Sequence, residues 1–452
     1  MKIQDIRDLI YQAKYEEALS QIEELNPKAE VMGLLLKSRI FVLREEYQQA
    51  IKAADQAHQK NKGIGDRYQE LGAVVMKSYA LYRFGKVTEA SGLLEEGQEL
   101  LSLLENGKEW GCLLYDVKAR VCWTLGDLQQ ALLFSYKSLT AAEEFKDEFQ
   151  IAESLSLVGL MHRSRGELDQ SISYLNRAFS LAREAGYRYL ESYSRHVIGV
   201  TYFYQGDYVK ALSSFEQCMT IDEEDEKFDQ ISCSLFHMVL TSLEVGERNQ
   251  AQVYLKKLEE VKRDKDPNNR YIDLRQRLAY ALVLKNGRRL KDKTDAQRIL
   301  EEIIHEEIIL HDLSIYAMVN LCELLLDELS LYGEPEVLTE AENLSAKIHG
   351  IAQEQKSFSL AVEALLLLSR FSLIRGNITR TDTLLEQAES ITAEQNLRKL
   401  AEKVKDDQTA LKEMLEKSEE MLSKGASIHE RMKAVRLNEY IARMKNIVRT
   451  HG

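Results

Sequence analysis

The sequence predicts an all-α solenoid of about ten stacked helical hairpins, closed by a C-terminal helical cap. Three observations carry this expectation. Gly85, Gly126, Gly166, Gly206 and Gly246 follow one another at intervals of 41, 40, 40 and 40 residues. Five places after each stands a small residue: Ala90, Ala131, Ser171, Ala211 and Ala251. Apolar residues on either side fall at helical spacing, and the chain holds only three prolines, Pro27, Pro267 and Pro335. A fixed period near 40 without strand-type alternation marks a helical repeat array.

The clearest hairpin lies at residues 192–221. Val197, Ile198, Val200, Tyr202 and Phe203 precede a break at Gly206-Asp207, and Leu212, Phe215 and Met219 follow it at i, i+3 and i+7. Such offsets make one face of a helix, and a Gly-Asp pair ends one helix and caps the next. Each recurring type of position has a physical reason. The glycine lets the chain leave the first helix through a left-handed turn. The small residue sits where the second helix crosses the first, since axes pack about 8–10 Å apart. Four places further, Leu94, Leu175, Phe215, Leu255, Leu300 and Leu385 fill the gap between helices.

The frame extends both ways. Glu45 with Ala50, and Ala13 with Ala18, occupy it earlier in the chain. After Gly287 the small residue, Ala296, is displaced by four extra positions in RRLKDKTD. Ala341 and Gly376 continue the period, with a looser loop expected at LSLYGEPEVLTEAE. The array is thus expected over residues 3–396. Residues 397–452 read as a separate amphipathic tail. Leu397, Val404 and Leu411, with Leu400, Met414 and Met421, keep sevenfold spacing in a long helix. Lys424-Gly425 ends it, and a second helix carries the stripe Leu437, Ile441, Met444 and Val448. A solenoid needs an end cap, which is the expected role of this tail. Residues 424–452 hold seven Lys/Arg against two Glu. These read as a solvated face, with contact to a partner or nucleic acid as the alternative.

Length alone would suggest several globular domains in 452 residues, but a repeat array grows by stacking. The net charge of −13 argues against a general nucleic-acid binder, which needs a basic footprint. The five cysteines show no C-x-x-C spacing and read as reduced, buried thiols. The N-terminus MKIQDIRDLI has no apolar leader core, and the longest apolar run, 364–368, is too short to cross a bilayer. A cytoplasmic location is expected.

At Ile198-Gly199, Tyr202, Gly206, Tyr208, Ala211 and Phe215 the chain resembles the tetratricopeptide repeat superfamily. Leu155, Val158, Gly159, Gly166, Leu168, Ser171, Leu175 and Ala178 carry the same pattern one repeat earlier. The 40-residue unit is similar to the long-helix branch: kinesin light chains, Pins-type polarity adaptors, and bacterial and archaeal repeat-array proteins. The resemblance implies a right-handed α-α superhelix whose first helices line a concave groove.

The sequence offers no catalytic motif, metal site or cofactor site. His305 and His311 are six apart, where the H-E-x-x-H pair needs four. Asp264, Asp266 and Asn268 begin like a calcium loop, but Asn269 and Arg275 stand where Gly and Glu are required. Asp406-Asp407 lacks the further Asp of a diphosphate-metal site, and Gly63-Ile64-Gly65 reads as a loop between repeats.

What the resemblance implies is partner binding. The family's carboxylate clamp is absent: its places carry Met32, Leu36, Gly72, Met76, Leu113 and Val117. The mapped central groove holds Arg120, Trp123, Arg163, Tyr193, His196, Phe203, Tyr204, Phe236 and His237. Aromatics and arginine dominate binding hot spots. Phe203 and Phe236 also suit positions that pack between helices. The expected function is a non-catalytic interaction scaffold binding a peptide or helix of another protein in the groove. The alternative is a peptide-sensing regulator whose superhelix changes shape. Regulators of that kind mostly carry an N-terminal effector domain, for which repeats beginning by residue 3 leave no room.

Overall fold

The computed structural model describes residues 3–451 except 166, 265–268, 307–310, 355–356, 395–403, 406–424 and 434–436. The chain divides into two compact units, Met1–Gln276 and Arg277–Gly452. Both are built of consecutive α-helices, and the described residues contain no strand.

The first unit opens with α1 (Ile3–Tyr11), α2 (Tyr15–Glu23), α3 (Glu30–Leu43) and α4 (Tyr47–Asn61). It continues with α5 (Arg67–Arg83), α6 (Val87–Ser102), α7 (Lys108–Thr124) and α8 (Leu128–Phe145). Then come α9 (Glu148–Ser164), α10 (Leu168–Ala185), α11 (Arg188–Gln205) and α12 (Tyr208–Glu224). The last members are α13 (Phe228–Glu244), α14 (Arg248–Asp264) and α15 (Arg270–Lys285), within which the unit boundary falls.

The turn inside each hairpin is the one the glycines predict. Gly206 has φ 79°, and the amide of Asp207 donates to the carbonyl of Tyr202 at 3.0 Å. The same six-to-one bond recurs from Asp127 to Cys122, from Glu247 to Ser242 and from Asn377 to Ser372. This is the Schellman closure of a helix C-terminus. Ala13 and Glu45 adopt it without glycine, at φ 60° and 64°. Asp127 and Asp207 then cap the following helix by accepting from Gln130 N and Lys210 N. The small residues Ala18, Ala50, Ala90, Ala131, Ser171, Ala211 and Ala251 are all fully buried. A Cβ on Gly199 would stand 2.7 Å from the Phe215 ring, and one on Gly159 2.6 Å from Leu175. These two glycines therefore seat the large residue of the second helix directly against the first.

First and second helices differ sharply in burial. Fifteen of the seventeen residues of α9 are buried, against four of the eighteen of α10. First helices also pack on one another from hairpin to hairpin, from α3 through α13. They form the inside of the unit, and the second helices form its outside. The inside is crossed by contacts between distant hairpins. Tyr11 stacks on Phe149 at 3.9 Å, Arg39 Nη2 donates to Glu153 Oε2 at 2.7 Å, and Lys227 Nζ donates to the Leu43 carbonyl. Glu45 Oε2 accepts from Asp229 N at 3.1 Å.

The second unit contains α16 (Leu290–His305), α17 (His311–Tyr332), α18 (Pro335–Glu354), α19 (Phe358–Arg375) and α20 (Ile378–Glu394). A short α21 (Ile428–Lys433) precedes α22 (Leu437–His451). Three expectations change here. The loose loop at 329–342 is helix on both sides of Gly333, because Pro335 starts α18 at the first position, where its missing N–H costs nothing. Gly287 is not in the left-handed region; the extra residues after it are absorbed into α16, which starts at Leu290. Two of the basic residues of the terminal helix are paired rather than solvated. Arg443 Nε donates to Glu363 Oε2 at 2.7 Å, and Lys445 pairs with Glu323. The stripe Leu437, Ile441, Met444 and Val448 is buried, with α22 lying on α17 and α19. The sevenfold-spaced segment 397–423 lies outside the described residues apart from Val404 and Lys405, as do Gly166, 265–268 and 307–310.

Two substitutions test this packing. Ala131→Glu and Ala211→Glu each force an unpaired charge into a helix crossing, at a cost of roughly 3–5 kcal/mol. Thermal unfolding followed by circular dichroism should show both melting far below the parent; unchanged curves overturn the repeat register. Ala13→Gly relieves a Cβ in the left-handed region and should stabilise by about 0.5–1 kcal/mol. Chemical denaturation measures it.

Candidate functional site

The nine mapped groove residues all lie on first helices of the first unit. Arg120 and Trp123 are on α7, and Arg163 is on α9. Tyr193, His196, Phe203 and Tyr204 are on α11, with Phe236 and His237 on α13. The inside of the unit gathers most of them into pairs.

Arg120 donates from Nε to Asp116 Oδ2 at 2.7 Å and from Nη1 to the Tyr193 hydroxyl at 3.4 Å. Tyr193 stacks on Tyr189, whose hydroxyl accepts from Arg83, and Arg83 donates in turn to the Tyr47 hydroxyl. Arg163 lies over the Tyr204 ring at 5.4 Å, and Phe203 meets Tyr204 edge-on. His196 and His237 meet edge-on at 5.3 Å, both against Phe215. Phe236 packs edge-on to His237. Trp123 packs against the same apolar cluster as Tyr193, and its Nε1 donates to Ser164 Oγ at 2.9 Å.

Burial divides the set. Arg120, Arg163, His196, Phe203 and Phe236 are buried, while Trp123, Tyr193, Tyr204 and His237 are half-buried. The face is also less basic than its composition suggests. Burial, with Arg163 and Arg275 nearby, drives the His196 ring down to about 3, and burial lowers His237 as well. Both imidazoles are neutral at pH 7, and Arg120 is matched by Asp116. Burial acts to deprotonate the Arg120 guanidinium, but the Asp116 carboxylate and Tyr193 hold it charged. The clamp positions Leu36, Met76, Leu113 and Val117 are buried and apolar, as their identities require.

Several residues of this face have no signal in the sequence. Arg39 sits over Tyr79 and Phe149 while paired with Glu153, and Arg275 pairs with Asp229 at 2.6 Å. Cys233 stands 3.4 Å from His196 Nε2, through a spacing of 37 residues that only the repeat geometry explains. Asp222, at the end of α12, is buried and accepts from Ser192 Oγ at 2.5 Å.

With this geometry in hand, residues 150–224 match the family profile described as tetratricopeptide repeat. That segment carries tetratricopeptide repeats. The helical hairpins find similar folds among solved structures. The apo form of the quorum sensor NprR from B. thuringiensis is 13% identical, with a TM-score of 0.51, over 81% of this chain and 100% of that one. NprR in complex with its cognate peptide NprX is 13% identical, with a TM-score of 0.51, over 70% and 91%. A Rap protein complexed with Competence and Sporulation Factor is 14% identical, with a TM-score of 0.53, over 88% and 97%. At such identity the likeness is one of fold. No curated protein matches the chain in sequence. Among the described residues no helix is long and apolar enough to cross a membrane.

The buried acid of this tetratricopeptide array gives a pH test. Burial, reinforced by Asp225, pushes the Asp222 carboxyl up to about 7. A carboxyl raised in the folded state binds its proton more tightly there than when unfolded. Its contribution is complete below pH ~4 and lost as pH rises through about 7, at up to ~1.4 kcal/mol per pH unit. Asp222→Asn should therefore lose less stability than the parent between pH ~4 and ~7. Parallel slopes of Tm against pH for the two proteins would count against a protonated Asp222.

Proposed function

We propose that this chain is a non-catalytic interaction scaffold that binds a peptide or a helix of a partner protein on the first-helix face of its tetratricopeptide hairpins. One observation carries the reading: in the second unit that face is covered by a helix of the chain itself. The helix α22 presents a buried apolar stripe to α17 and α19, and its Arg443 and Lys445 meet Glu363 and Glu323. Helix-in-groove recognition uses this combination of spaced apolar anchors and flanking charge. In the first unit we assign partner contact to Arg120, Trp123, Arg163, Tyr193, His196, Phe203, Tyr204, Phe236 and His237. The half-buried Trp123, Tyr193, Tyr204 and His237 meet the partner first. The cognate peptide of NprR supports this reading by analogy of fold. The five unbridged cysteines support a reducing, cytoplasmic compartment.

A second reading, a sensor whose repeats change arrangement on binding, is favoured by the bridges across the inside of the first unit. A change in the arrangement of the repeats has to break contacts such as Arg39–Glu153 and Lys227–Leu43, which join helices far apart in sequence. Hydrogen exchange of α3 and α9 with and without partner separates the two: a sensor loses protection there, and a rigid scaffold does not.

The binding assignment is tested with the partner that co-purifies with the full chain, once identified and made separately. Tyr204→Ala and Arg163→Ala, each verified as folded, should lose about 2 kcal/mol, roughly thirtyfold in affinity. If both bind as the parent does, the partner uses another surface.

A further inference from the structure

We propose that His196, Cys233 and His237 form a binding site for a zinc ion that ties α11 to α13. One ligand atom from each side chain lies within 4.8 Å of the other two. Cys233 Sγ is 3.4 Å from His196 Nε2 and 4.0 Å from His237 Nδ1. Tetrahedral zinc, with Zn–N of about 2.0–2.1 Å and Zn–S of about 2.3 Å, places neighbouring ligand atoms about 3.3–3.8 Å apart. His196 Nε2 and Cys233 Sγ therefore stand at the separation of two corners of such a tetrahedron, and His237 lies close enough to supply a third ligand.

The repeat itself builds the cluster. Cys233 and His237 are one helical turn apart and share a face of α13. His196 faces them from the first helix of the preceding hairpin. The surroundings supply the outer contacts that orient metal-binding imidazoles. His196 Nδ1 is 2.9 Å from Ser234 Oγ, which leaves Nε2 to the cluster. His237 Nδ1 is 2.9 Å from the Cys233 carbonyl, and a proton donated there leaves Nε2 as the lone-pair nitrogen.

Metal ligation needs a thiolate and neutral imidazoles, so uptake of the ion releases the thiol proton. Arg275, whose charge reaches both Cys233 and His196, is held by Asp229 at 2.6 Å and Ser232 Oγ at 2.8 Å. Phe215 walls one side, with ring centroids 5.5 and 5.7 Å from the two imidazoles. Cys233 and His237 are half-buried, so an ion has a way in, and a water or a partner's donor atom completes the fourth position. A zinc ion here would fix the relation between two consecutive first helices on the proposed binding face. The site does not depend on that reading, because metal binding is measured without any partner.

The test uses the purified full chain, stripped of metal with a chelator and titrated with Co²⁺. A stoichiometric amount should produce a thiolate-to-cobalt charge-transfer band and tetrahedral d–d bands, both abolished by added Zn²⁺. Cys233→Ser should remove the charge-transfer band, and His196→Gln and His237→Gln should each weaken binding. Ser234→Ala, which keeps all three ligands, should weaken zinc binding by ~10-fold or more. Circular dichroism checks each fold, and Zn²⁺ should raise the Tm of the parent but not of Cys233→Ser. Absence of the charge-transfer band in the parent, or its survival in folded Cys233→Ser, overturns the site.

Discussion

The crossing of the two helices, in the hairpins that keep the repeat frame, is the constraint on which the rest depends. A left-handed residue ends the first helix, and a six-to-one hydrogen bond fixes the direction in which the chain leaves it. Five residues later a fully buried Ala, Ser or Thr lets the second helix come close. Direction and distance are then both set, and with them the angle of the hairpin. Ala13 and Glu45 reach the same turn with a Cβ in the left-handed region. Hydrogen bonding and packing therefore override local backbone preference at these two sites. Because the same turn recurs along the first unit, its first helices fall on one side and pack on one another to form the inside.

That inside is polar to a degree unusual for buried surface. Arg39, Asp116, Arg120 and Glu153 are all nearly inaccessible to water, as are Tyr79 and the ring of Phe149. A buried ion pair recovers its desolvation only with good geometry, and often stabilises less than apolar residues of the same size. Such pairs specify more than they stabilise. Arg39 with Glu153 and Arg275 with Asp229 each join helices that sequence separates, so they select one arrangement of the hairpins over its neighbours. The aromatic planes over which the guanidinium groups lie supply the apolar contact that a chain of charges alone lacks.

The hairpins were legible because they rest on local rules. Turn glycine, cap aspartate and small crossing residue lie within a dozen positions of one another, and each has a fixed offset. Legibility failed where an insertion was absorbed by a neighbouring helix, as at Leu290, or where Pro335 reads as a loop signal while starting a helix. The site was half legible for a related reason. Its residue types and helices follow from the repeat period, and Arg120 does meet Tyr193 as Arg163 meets Tyr204. Their burial does not follow, because it depends on side chains of neighbouring hairpins, such as Tyr193 against Arg120 and Ser234 against His196. Nor does Cys233 announce itself: its partner His196 lies 37 residues earlier, and no short-range motif joins them.

Each unit solves the same problem in its own way. A first-helix face rich in charge and aromatic surface is costly to leave half-wetted, since its polar groups gain little from neighbours unless every one is paired. In the first unit, side chains from the early hairpins close over the middle ones. In the second, α22 lies on the face and matches its carboxylates. A partner entering the first unit competes with contacts already made. Its apparent affinity is its intrinsic affinity reduced by the fraction of molecules that have opened. Selectivity follows from this competition: a segment that offers only charge replaces one ion pair by another and gains nothing. A segment that also brings apolar anchors for Trp123, Tyr193 and Tyr204 gains what the internal pairs do not supply.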